Sequence, residues 1–337
     1  MIRSVPLIRA GSLVPFVKWL RANGRPLEGR LRTAGLAVVA FDDPDRLIPL
    51  VSGFAFLGEL AAQEGMPDLG CRVVGASSLR DLGELGRVAL SGRTPRDGLR
   101  RAAAAMTSYS THERMSFIDR PGGGEARFFF AIKGQADALH VAQHYSAALV
   151  QLLCRATGVG GAVLERVELV PHPTEGVAHL VPWLGDGVAA APDRVLRIRI
   201  PEAVLAAPLR LPAEARPEPT AVPPPINRNV GFAPTARILV DLMLEDAVPT
   251  IEQLAAASGM SVRTLQRRLG EEGVSFTAIL DAARRDRATA ALVGGSVPVG
   301  ELAVHLGYSG PACLTRAVRR WTATTPSQLR QGNGHRS

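Results

Sequence analysis

The 337-residue sequence predicts two parts: an α+β N-terminal domain, then an all-α C-terminal domain with two helix-turn-helix units joined by a helix. Three observations predict it. One short pattern occurs twice near the C-terminus. The hydrophobic periodicity ahead of it changes from helical to alternating. A proline-rich stretch separates the two regions.

In the N-terminal part, residues 11–22 read as an amphipathic helix ending at Asn23-Gly24. Asp42 to Leu50 form a capped turn leading into a helix near 49–64, and further helices fit Ser78 to Leu90 and Arg96 to Ser110. Alternation then predicts a hairpin, Met115–Asp119 with Ala126–Lys133, across Pro121-Gly122-Gly123-Gly124. A phosphate-cradling loop runs from strand into helix. This glycine run joins two strand-like segments, so it reads as a solvated turn. Gln135 to Thr157 predict a long helix, and Val163–Val170 and Val195–Ile200 predict strands. Pro212 to Ile226 hold six prolines and cannot form a helix, which makes them a semi-rigid linker between domains at 1–211 and 227–337. Helix resumes at Thr235–Leu244.

The repeat follows. Its first copy runs from Ile251 to Ser261 and its second from Val299 to Ser309, with Ala255 and Gly259 matched by Ala303 and Gly307 48 positions on. Steeply crossing helices need a small residue where they touch, which suits the alanines. The turn needs a residue tolerant of positive φ, which suits the glycines. Ser261 and Ser309 then cap the next helix. In the first unit Leu265 and Leu269 mark the buried face, leaving Arg263, Gln266 and Arg267 outside. In the second, Leu314, Val318 and Trp321 are buried and Thr315, Arg316 and Arg319 face out, with Pro311 in the first turn. Ser275 to Leu292 form the joining helix. Arg and Gln on such a helix are the side chains that read base edges in the major groove. The blander reading is a helical bundle with solvated arginines, and a tandem pair weighs against it.

This block resembles the AraC/XylS family of bacterial transcription regulators. The resemblance rests on Gly259 to Leu269, on Gly307-Tyr308-Ser309, and on Arg319 to Arg330. It departs from the family pattern at Leu314 and Val318, where aromatics are usual, and at Pro311 and Ala312, where polar residues are usual. The resemblance implies a DNA-binding set of Ser261, Arg263, Thr264, Gln266, Arg267, Arg268, Thr315, Arg316, Arg319 and Arg320. Asp43 to Leu50, Val170-Pro171-His172-Pro173 and Ile200 to Leu209 resemble the arabinose-binding-like dimerisation domain of one branch of that family. That likeness implies a homodimer and a small-molecule effector, with RNA polymerase a partner if the protein activates.

The totals agree. Net charge is +8 and the isoelectric point is near 10.3, which favours an anionic partner such as double-stranded DNA. Nearly all the positive charge is arginine, Lys18 and Lys133 being the only lysines. From Leu302 onward there is no Asp or Glu, but there are Arg316, Arg319, Arg320, Arg330 and Arg336. Such an end suits phosphate contact.

Cys71, Cys154 and Cys313 are too far apart for a disulfide framework or a zinc site, which fits a reducing cytoplasm. Arg9, Lys18 and Arg21 interrupt the first apolar stretch, and no run approaches 18 apolar residues, so neither a signal peptide nor a membrane span is expected. His140 and His144 lie one helical turn apart, with Asp137 one turn earlier. The spacing fits a metal or a haem-like ligand, but an exposed polar face is the simpler reading. His112 and Glu113 read as a helix-end pair, and Cys154 as a small core residue. No catalytic signature is present, so neither an enzyme nor a cofactor is expected. The alternative is an enzyme, such as an alkyl-acceptor DNA repair protein, fused to a DNA-binding module. It requires a reactive cysteine beside a base or a metal.

Overall fold

The structure is a computed structural model that describes residues 4–36, 41–132, 136–211, 225–226, 231–295 and 297–331. Its contacts divide the chain into two compact units. Pro6–Asn227 form one, and Arg228–Ser337 form the other together with Met1–Val5. Most of the stretch expected as a linker, 212–224, lies outside the described residues. Ile226, at its end, is buried in the first unit and donates its amide to the Thr107 carbonyl at 3.1 Å.

The first unit opens with strand β1 (Leu7–Arg9), which pairs antiparallel with β2 (Leu47–Pro49). Between them lie α1 (Val14–Ala22) and α2 (Glu28–Thr33). Then come α3 (Leu50–Glu64), α4 (Leu69–Gly75), α5 (Glu84–Leu90) and α6 (Pro95–Ala105). Strands β3 (Glu113–Arg120) and β4 (Gly123–Phe130) form the expected hairpin. Helix α7 (Ala136–Arg155) follows, then β5 (Arg166–Leu169), α8 (Val181–Leu184), β6 (Val188–Ala190), β7 (Leu196–Pro201) and α9 (Glu202–Leu205). The sheet has five strands in the order β3-β4-β7-β5-β6, antiparallel except between β5 and β6. On β7, Leu196, Ile198 and Ile200 are fully buried and alternate with Arg197 and Arg199, so one face meets the core and the other meets water. Helix α7 carries the core. It packs against α3 and α4 as well as β5 and β7, and buries Leu139, Val141, Tyr145, Ala147 and Leu153.

Several expectations need correction. The helix expected over Ser78–Leu90 is a 3-10 turn at Leu79–Leu82 followed by α5, broken at Gly83, whose φ of 64° and ψ of −137° leave the helical region. The helix expected from Arg96 to Ser110 ends at Ala105 and tightens to a 3-10 turn. The turn of the β3–β4 hairpin is Pro121-Gly122 alone, because Arg120 pairs with Gly123. Gly123 and Gly124 lie in β4 itself. A Cβ on Gly123 would stand 2.1 Å from the Ile200 carbonyl oxygen, and one on Gly124 would stand 2.4 Å from the Phe117 ring. These glycines therefore let strands and rings approach closely and do not form the turn.

The second unit is all helical. It contains α10 (Phe232–Met243), α11 (Ile251–Ala257), α12 (Val262–Glu271), α13 (Phe276–Val293), α14 (Val299–His305), α15 (Pro311–Thr322) and α16 (Pro326–Gln331). Helix α13 packs on α10, α14, α15 and α16. Ile279, Leu280 and Ala283 are buried near its start, and Ala288 and Leu292 near its end.

Changing Gly123 to Ala forces a side chain against the backbone of β7. The expected outcome is a loss of about 1–3 kcal/mol from the first unit. Calorimetry of the full chain checks this: the transition of the first unit should fall while that of the helical unit stays in place.

Candidate functional site

The two repeats fold alike down to individual hydrogen bonds. In the first, Gly259 has φ 67° and the Met260 amide donates to the Ala255 carbonyl at 3.0 Å. In the second, Gly307 has φ 74° and the Tyr308 amide donates to the Ala303 carbonyl at 2.8 Å. Ala255 and Ala303 are buried, as the close helix crossing requires. Each turn closes its helix by satisfying late carbonyls through a left-handed glycine. At Gly307 the space is also short, since a Cβ there would stand 2.4 Å from Val248 Cγ2.

Helix α12 starts as expected. Ser261 Oγ accepts from the Thr264 amide at 3.3 Å and lies 3.0 Å from Thr264 Oγ1. Thr250 caps α11 by a reciprocal pair of bonds with Gln253. The Glu272 carboxylate, just beyond α12, accepts the Phe232 and Ala233 amides at 2.6 and 2.8 Å and so ties α12 to the start of α10. Leu265 and Leu269 are fully buried, while Arg263, Gln266 and Arg267 are exposed. Arg267 pairs with Glu271 one turn on. Arg268 turns aside and lies over the Phe232 ring at 5.7 Å.

The second unit differs in its cap. Gly310, not Ser309, precedes α15, and no side chain caps it; Ser309 Oγ lies 3.1 Å from Cys313 Sγ. Proline at the first position needs no amide partner there, which lowers the demand for a cap. Leu314 and Val318 are buried. Trp321 is only half-buried, because its indole N–H reaches Asp281 Oδ2 at 2.9 Å. Arg316 and Arg319 are exposed and Thr315 is half-buried, with its hydroxyl donated to the Pro311 carbonyl. Arg316 reaches Cys313 Sγ at 3.1 Å. Arg320 is also exposed, but its guanidinium donates to Asp281 Oδ1 at 2.7 Å and stacks on Trp321. Arg263 and Arg319 are in no ion pair among the described residues.

Elsewhere the structure overturns two readings. His140 and His144 are fully buried and are not an exposed polar face. The fold brings His172 and His179 to them, with ring centroids 5.4 and 5.1 Å from the His140 ring. His140 Nδ1 lies 2.7 Å from the Val170 carbonyl, to which it must donate, so its Nε2 is an acceptor for His179 Nε2 at 3.0 Å. Among the described residues no group of three or more His, Cys, Asp or Glu is placed to hold a metal ion. Cys154 is a core residue, with burial pushing its thiol up to about 12, and burial pushes Cys71 up more strongly still. Neither thiol is poised to attack as a thiolate.

Glu113 is not at a helix end. It heads β3 and lines an apolar cavity of about 140 Å³ that sits inside the first unit. By surface area the residue is only half-buried, yet its carboxyl is desolvated enough to be pushed up to about 7.

A model described as the arabinose-binding domain of AraC transcription regulator, N-term, matches residues 24–209, over half the chain, and a helix-turn-helix domain model matches residues 254–332. The chain is 37% identical over 94 residues to the HTH-type transcriptional regulator VqsM of Pseudomonas aeruginosa, a match spanning 27% of this chain and 29% of that one. It is 39% identical over 83 residues to the HTH-type transcriptional regulator VirS of Mycobacterium tuberculosis, spanning 25% of this chain and 24% of that one. The chain thus covers less than a third of the length of these relatives. The crystal structure of the transcriptional regulator CdpR from Pseudomonas aeruginosa aligns over 95% of this chain and 98% of that one, with 20% identity and a TM-score of 0.41. Among the described residues no helix is long and apolar enough to cross a membrane.

Burial sets opposite pH dependences within the first unit. Desolvation holds His140 down to about 4, so unfolding takes up a proton and stability falls as pH drops from about 6.5 to 4. Glu113 is raised, so its contribution is fully present below about 4.5 and is lost as pH rises through 7. The two offset each other in this range. Glu113→Gln removes the second, and stability of the variant should rise between pH 4 and 6.5 by about 3 kcal/mol or more, because burial also holds His144 and His179 down. Urea unfolding at a series of pH values checks this against the flatter parent.

Proposed function

We infer, from the chain's membership of the AraC family of transcription regulators with an N-terminal arabinose-binding domain, that it is a sequence-specific DNA-binding regulator responsive to a small-molecule effector. The observation that carries this reading is the matched pair of glycine turns, each followed by a helix with exposed arginines. In this reading Arg263, Gln266 and Arg267 meet base edges from the first unit, and Arg316 does so from the second. Ser261, Thr264, Thr315 and Arg319 meet phosphates. Arg268 and Arg320 support the surface from behind, since Phe232 and Asp281 hold their heads. Residues 1–211 sense the effector and form the dimer, 212–226 link, and 227–337 bind DNA. The protein works in the cytoplasm as a homodimer, and where it activates, RNA polymerase is its partner.

The fused-enzyme alternative needs an accessible thiolate. Burial of Cys71 and Cys154 speaks against those two.

Two outcomes are expected. Arg263→Ala costs about 1–3 kcal/mol in operator binding and relaxes preference at one base pair. Arg319→Ala weakens all sequences alike and lowers the salt slope by about one. Gel shifts of the full chain against a panel of sites at several salt concentrations measure both. Unchanged affinity and preference in Arg263→Ala would reject the assignment.

Helix α13, with 18 residues, is about 27 Å long. It holds the two recognition helices for successive major grooves on one DNA face, about 34 Å apart. Nuclease protection should therefore cover about two turns per protomer, and sedimentation should give a dimer. Protection of one groove only, or a strict monomer, contradicts this arrangement.

A further inference from the structure

We propose that the cavity inside the first unit receives a compact, uncharged, largely apolar molecule carrying one hydroxyl or carbonyl, and that free sugars are excluded from it. The proposal rests on the reading of this unit as the effector sensor and goes further by giving the ligand's chemistry.

The size comes first. At about 140 Å³ the cavity is close to the ~150 Å³ of an engineered aliphatic-aromatic cavity that stays dry and admits a single benzene ring. Its walls come from many elements, among them Leu57, Leu99, Met106, Phe128, Phe130 and Leu153. Among the described residues no Lys, Arg or His lines it, so an anion would find no counter-charge. An anion would also lie beside Glu113. A cation would require both itself and Glu113 to be charged in an apolar space, and their attraction seldom repays both desolvation costs.

The polar groups decide the rest. Ser12 and Ser146 line the cavity, but their hydroxyls donate to the Arg9 and Ala142 carbonyls of their own turns. Tyr145 also lines it, and its hydroxyl is buried and has no hydrogen-bond partner among the described residues. A buried hydroxyl without a partner is costly to keep. One oxygen on the ligand would satisfy it. A sugar would bring a ring of hydroxyls, most of which would lose water and gain nothing.

Binding to the full chain can be followed by saturation-transfer NMR, with cyclohexanol, cyclohexane, cyclohexanecarboxylate, cyclohexylamine and L-arabinose as probes. Cyclohexanol should bind more tightly than cyclohexane, and the anion, the amine and the sugar should not bind. Tyr145→Phe should remove roughly fivefold of the alcohol's advantage and leave cyclohexane unchanged. This variant deletes only an unpartnered hydroxyl, so the fold is expected to survive. Ala102→Leu, which fills the cavity, should abolish binding of both neutral probes. Binding of arabinose or of either charged probe in preference to cyclohexanol overturns the proposal, as does an alcohol advantage that survives Tyr145→Phe. Gel shifts with and without cyclohexanol separate the two readings. Cavity binding that leaves DNA affinity unchanged rejects the sensing role while upholding the ligand class. Binding of arabinose with a changed DNA affinity does the reverse.

Discussion

Helix α13 is the part on which the helical unit depends. Ile279, Leu280 and Ala283 are buried near its start. Ala288 and Leu292 are buried near its end, in one core with Leu302, Ala303, Leu306, Leu314 and Val318. Each helix-turn-helix is too small to bury much apolar surface alone, and the shared helix gives both a third wall. Two cross-links fix the arrangement. Asp281 on α13 accepts from Arg320 and Trp321 of α15, and Arg284 lies over the Tyr308 ring at 5.1 Å. Glu272 does similar work between α12 and α10 by capping the latter's first amides. Charged groups that receive two good hydrogen bonds hold geometry better than isolated surface pairs.

The arginines of this unit therefore divide by what holds them. Arg268 and Arg320 lie against aromatic rings, and Arg267 is shared with Glu271 on its own helix. Arg263 and Arg319 carry no acidic partner among the described residues. Composition alone counts all of these equally. Arg263, Arg319 and likewise Arg316, whose guanidinium reaches only the Cys313 thiol among the described residues, present an unshared charge to an anionic surface, at least cost in broken ion pairs on binding.

In the first unit, α7 gathers polar groups that an exposed helix would scatter. His140 and His144 point into the protein, where loops after β5 supply His172 and His179. One turn of the same helix carries Tyr145 and Ser146 to the cavity. His140, His144 and Tyr145 stay neutral because burial penalises charge more than their neighbours repay. The cost is accepted where the helix is enclosed by α3 and α4 on one side and by the sheet on the other.

Much of this was legible in the sequence. The two Ala-x-x-x-Gly turns, the cap at Ser261, and the buried leucines of α12 follow from local rules, because a turn's φ and a helix's first amides are set by neighbours in the chain. The strands β4 and β7 and the long helix α7 were visible as periodicity. What the sequence could not show depends on partners far along the chain. Gly123 and Gly124 looked like a turn because the carbonyl of Ile200 and the ring of Phe117, which exclude a Cβ, are brought there only by folding. The histidines of α7 looked like a polar face because α3, α4 and the sheet cover more of the helix than an amphipathic stripe suggests. Ser309 lost its capping role to Gly310 and Pro311 at the start of α15. The sequence by itself determined the tandem helix-turn-helix and its family. Tertiary structure alone decided which arginines stay unpaired, where the histidines meet and that an apolar cavity exists, because each is a matter of what distant segments place beside one another.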